Sequence, residues 1–135
     1  EKIREDEGGT YGVGVNGIIQ QYPKGTFLML IGFETNKEMY AKLMDIAKVE
    51  FERIANECPR EQDLKKVKEY KIKQHAEDLE SNRYWMNCIQ TQLRDGVNLM
   101  NGYIEFLNSI TAQDLADMAK IILKGYHKEV VQLPE

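Results

Sequence analysis

Between Tyr11 and Glu34 the chain alternates with a period of two, and that stretch constrains the fold more than any other. Tyr11, Val13, Val15 and Ile19 share one side of an extended strand, while Gly12, Gly14 and Asn16 share the other. Gln21-Tyr22-Pro23-Lys24-Gly25 carries turn chemistry. Thr26 to Glu34 follows with apolar residues on both faces, Leu28 and Leu30 against Phe27, Met29, Ile31 and Phe33. Two such runs around a short turn predict an antiparallel hairpin whose second strand is central in its sheet. The glycines also spell Gly12-Val13-Gly14-Val15-Asn16-Gly17, which satisfies the dinucleotide pattern G-x-G-x-x-G. That pattern cradles phosphate only when a helix opens within it, so that amides and the helix dipole face the pyrophosphate. Here the glycines lie inside strand alternation, and Pro23 follows six residues after Gly17. No helix of useful length fits, and the glycine face instead lets a helix or another backbone approach closely.

The period then lengthens. A helix is expected from a cap at Thr35 or Asn36, with Tyr40, Leu43, Met44, Ala47, Phe51 and Ile54 at helical spacing. Cys58-Pro59 ends it, and Pro59 suits the first turn of the next helix. That second helix runs to Asp95-Gly96 with a break near Ser81-Asn82. Its first half is polar, with Leu64 and Val67 as the main apolar contacts, and its second half, with Trp85, Ile89 and Leu93, is expected to be the better buried. Thr111-Ala112-Gln113-Asp114 resembles a capping box and opens a short helix, Ala112 to Leu123, that stops at Gly125. Val130, Val131 and Leu133 are expected to form a last strand. Glu1 to Glu7 reads as the tail of a helix closed by Gly8. The order (α)-β-β-α-α-α-β predicts an α+β fold, an antiparallel sheet with helices packed on one face.

The length of 135 residues suits one domain or the C-terminal part of one. The chain opens Glu1-Lys2-Ile3-Arg4 with no initiator Met, so it is expected to be excised from a longer protein, and any export signal would lie upstream. Hydrophobic residues at 42% and charged residues at 30% suit a globular chain with a real core. The net charge of −4 comes without a basic stripe, which disfavours nucleic acid and anionic membranes as partners. No apolar run approaches the ~20 residues needed for a membrane span.

Metal and nucleophile chemistry find little support. The two histidines, His75 and His127, lie 52 residues apart, and neither H-E-x-x-H nor H-x-x-E-H occurs. Three convergent ligands are the minimum for a catalytic zinc site, so both read as surface histidines and the metal set is none. Cys58 and Cys88, 30 residues apart, read as separate buried or half-buried thiols without a basic neighbour to activate them, the alternative being a single disulfide for which the sequence gives no support. What remains is Arg4-Glu5-Asp6-Glu7-Gly8-Gly9-Thr10-Tyr11. With a helix end at Arg4 and a glycine turn between, Arg4 and Tyr11 can point into one space. A guanidinium beside a phenol can read peptide carbonyls or a developing oxyanion. Both residue types are also ordinary structural choices at such positions.

This segment resembles the equivalent stretch in the C-terminal half of pitrilysin/insulinase-type (inverzincin) zinc peptidases. There a helix ends in an Arg, a short acidic turn with Gly follows, and a Tyr seven residues after the Arg opens a strand. Arg4 and Tyr11 match that spacing, and Glu5 and Gly9 suit the turn. Hairpin, helix, a polar helix led by Pro59-Arg60-Glu61, and Ser109-Ile110-Thr111-Ala112-Gln113-Asp114-Leu115 before the last helix follow in the same order. The resemblance implies a metallohydrolase-like α/β sandwich that closes over a peptide substrate. It implies zinc carried by N-terminal domains of the parent chain, with Arg4 and Tyr11 as substrate-binding residues and no catalytic residue in this chain. Gly8-Gly9-Thr10 departs from the turns of some members. A scaffold that has lost activity and serves as a structural or assembly subunit is the alternative that the same fold allows.

Overall fold

The computed structural model describes residue 10 and residues 12–132. The fold is α+β: a two-stranded antiparallel sheet followed by five helices. They are β1 (Val13–Gln20), β2 (Thr26–Phe33), α1 (Tyr40–Glu57), α2 (Glu61–Asp78), α3 (Asn82–Asp95), α4 (Tyr103–Ser109) and α5 (Ala112–Leu123). The chain divides into two compact units, one of Glu1–Glu57 with Ala116–Glu135, the other of Cys58–Leu115.

In the first unit the predicted hairpin forms in full register, from Val13 opposite Phe33 to Gln20 opposite Thr26. One face collects Val13, Val15, Gly17 and Ile19 with Phe27, Met29, Ile31 and Phe33. The other collects Gly14, Asn16 and Ile18 with Leu28, Leu30 and Gly32. On the glycine face a Cβ at Gly14 would meet the Gly32 carbonyl oxygen at 3.8 Å, and on the opposite face one at Gly17 would meet the Phe27 ring at 3.4 Å. Asn36, one of the two expected caps, accepts the Met39 N–H at 2.9 Å and the Glu38 N–H at 3.1 Å ahead of α1. Leu43 and Ala55 on α1 are buried, as are Ala116 and Ala119 on α5. Burying Leu43 contributes about 1.5–3 kcal/mol.

Two expectations for this unit fail. β2 is not central: among the described residues its one partner is β1, and no residue of either strand is buried. Composition marks β2 for burial on both faces, but burial requires something to lie against each face. Val130 and Val131 pair with no strand among the described residues, and Leu133 lies outside them. A two-residue apolar run has too few ladder bonds to hold a strand by itself. Glu129 instead forms an ion pair with Lys48 of α1. The expected helix tail at Glu1 to Glu7, closed by Gly8, also lies outside the described residues.

In the second unit the long helix is broken where expected, with Ser81 at the cap of α3 and Gly96 closing it at φ 71°. Pro59 stands just outside α2 rather than in its first turn, because Arg60 takes the extended N-cap position. The expectation for α3 fails for the residues it named: Trp85, Ile89 and Leu93 are exposed, Leu93 at 81%, and the buried residue is Cys88. Helical spacing correctly groups residues on one face, but it does not say which face is covered. Leu64 is buried as expected, while Val67 is exposed. The sequence pattern misses α4, which is only seven residues long and starts after Gly102 in left-handed conformation. At the start of α5, Asp114 accepts the Thr111 N–H at 2.7 Å while Thr111 Oγ1 accepts the Asp114 N–H at 3.2 Å. This is the reciprocal capping box that the residues spell, with Asp in place of Glu.

Candidate functional site

The two predicted substrate-binding residues, Arg4 and Tyr11, lie outside the described residues. The residues on either side of Tyr11 are described. The Thr10 hydroxyl donates to the Gly12 carbonyl at 3.0 Å and accepts the Gly12 N–H at 3.3 Å. A threonine that bonds the backbone two residues on is a compact local turn. Thr10 itself is buried. From Val13 on, the G-x-G-x-x-G glycines lie on a paired strand with no helix opening among them, so the geometry of a phosphate cradle is absent there.

His75 is not the surface histidine expected from the sequence. Its ring stacks on Tyr103 at 4.4 Å with planes 29° apart, and meets the edge of Tyr84 at 5.7 Å. Tyr84 in turn meets Trp85 edge-on at 5.5 Å. Rings from α2, α3 and α4 thus form one cluster, in which the Tyr84–Trp85 pair has the edge-to-face geometry that adds about 0.5–1.5 kcal/mol. The Tyr84 hydroxyl donates to the Leu99 carbonyl at 3.4 Å and is pushed up to about 12, first by burial and then by the neighbouring Cys88 thiol. Cys88 is fully buried, Cys58 is half-buried, and both are free thiols. These ring contacts tie α2, α3 and α4 together.

Charge is placed locally. Lys68 on α2 donates to the carbonyls of Asn108 at 2.9 Å and Ile110 at 2.6 Å, at the C-terminal end of α4. Those carbonyls have no partner within the helix and carry the negative end of its dipole, so an ammonium suits them. The Asp114 carboxyl is held below the usual carboxylate range, first by the Thr111 hydroxyl, then by the Thr111 backbone N–H, with Lys68 adding attraction. Glu129 is likewise lowered and Lys48 raised by their mutual hydrogen bond. Lys68 is the residue that sequence reading misses, because its partners lie 40 and 42 residues away and no local pattern announces them.

Among the described residues, no three His, Cys, Asp or Glu side chains gather so as to hold a metal ion. No helix among them is long and apolar enough to cross a membrane. In comparisons with known proteins, no family model and no curated protein matches the chain.

Proposed function

We propose that the chain is the substrate-clamping C-terminal domain of a pitrilysin/insulinase-type zinc metalloendopeptidase. In this reading it positions a peptide against a zinc site carried by N-terminal domains of the parent chain. The observation that carries the reading is the Arg4-to-Tyr11 spacing immediately ahead of a hairpin. Supporting it are the hairpin–helix–broken helix–capped helix order and the Thr10 turn just ahead of β1. The α+β content, a paired hairpin followed by helices, supports the finer architecture, a metallohydrolase-like sandwich with helices packed on one face of the sheet.

In that role the planar Arg4 fork would hold substrate backbone carbonyls, and the Tyr11 phenol would donate to the carbonyl oxygen as charge grows on it. Among the described residues, the His75 ring is packed against Tyr103 and Tyr84. In this reading the hydrolytic chemistry belongs to the rest of the parent enzyme.

The test is steady-state kinetics of the parent enzyme on a quenched peptide, with thermal melts in parallel. Tyr11→Phe is expected to lower kcat by about 100-fold with little change in KM, as loss of one such donor does. Arg4→Lys is expected to reduce activity too, because a point charge on a flexible stem does not reproduce the fork. Cleavage by Tyr11→Phe at the parental rate, or a loss of activity that tracks a loss of fold, would make Tyr11 structural and defeat the proposal. A parent chain without H-x-x-E-H would favour the structural or assembly subunit instead.

A further inference from the structure

We draw no further inference here: the strongest candidate, the exposed apolar face of the β1–β2 hairpin formed by Val13, Val15, Ile19, Phe27 and Ile31, is an unpartnered sheet face, and nothing in the structure shows what covers it.

Discussion

The hairpin and the Cys58–Leu115 unit solve the problem of holding a chain in place by opposite means. The hairpin is complete in its backbone, eight residues paired with eight, yet its side chains face outward, with Ile19 74% exposed. The helical unit has a small core, Leu64, Cys88 and Leu107, reinforced by directed contacts between helices. Lys68 ties α2 to the end of α4, and His75, Tyr84 and Tyr103 join α2, α3 and α4. A two-stranded ribbon is marginal in water unless another layer covers it. Small helices can instead be fixed to one another by a few well-placed polar and aromatic ties.

The largest effect that would sharpen this contrast is expected at Leu107→Ala. It removes one of the few buried side chains of the helical unit and should cost about 2–4 kcal/mol, read as a lowered denaturant midpoint with unchanged m. A loss below about 1 kcal/mol would mean that this core contributes no more than the hairpin's exposed residues do.

Next comes Lys68→Met, which keeps the apolar stem but removes the ammonium from the two α4 carbonyls. Hydrogen bonds to a charged group contribute about 1.5–3 kcal/mol, and partial exposure reduces the expected loss here to about 1–2 kcal/mol. Equal stability of Lys68→Met and the parent chain would remove the polar tie from the comparison.

A pH effect follows from Tyr84. Its hydroxyl holds its proton more tightly in the fold than the ordinary tyrosine value of 10.0, up to about 12. Its contribution is therefore complete below pH 10 and is lost as pH rises from about 10 through about 12. Tyr84→Phe should flatten the stability profile in that window. An unchanged alkaline slope in the variant would show that the cluster does not hold the phenol.

How much of this was legible in the sequence depends on the range of the interaction. The Asn36 cap, the Thr111–Asp114 box, the break at Ser81 and the Gly96 stop involve residues within a few positions of one another, and the sequence shows them. Periodicity groups Ile89 and Leu93 on one face of α3 but does not encode what lies opposite, and that face is exposed. The seven residues of α4 are too few to establish a period. For the site, the sequence supplies the Arg4-to-Tyr11 spacing, whereas the Thr10 turn beside Tyr11 and the Lys68 contacts become visible only in three dimensions.

The smallest effect is expected in the hairpin. Ile19→Thr replaces an exposed apolar residue with another good strand former and should change stability by less than about 0.5 kcal/mol. By light scattering it should also reduce self-association of the isolated chain, because it interrupts an exposed apolar patch. A loss above about 1 kcal/mol would show that Ile19 is covered in solution and that the two regions differ less than their exposures indicate.

The single tryptophan makes the contrast directly observable. Trp85 donates its indole N–H to the Leu79 carbonyl at 2.8 Å, across the joint between α2 and α3, and stands 5.5 Å from the Tyr84 ring. Its emission therefore reports the polarity and rigidity of that joint, with Tyr84 close enough to pass excitation to it. The hairpin contains no indole, so a fluorescence-monitored titration follows the helical joint, while backbone dichroism follows both regions. Any separation between the two curves measures how independently the regions unfold.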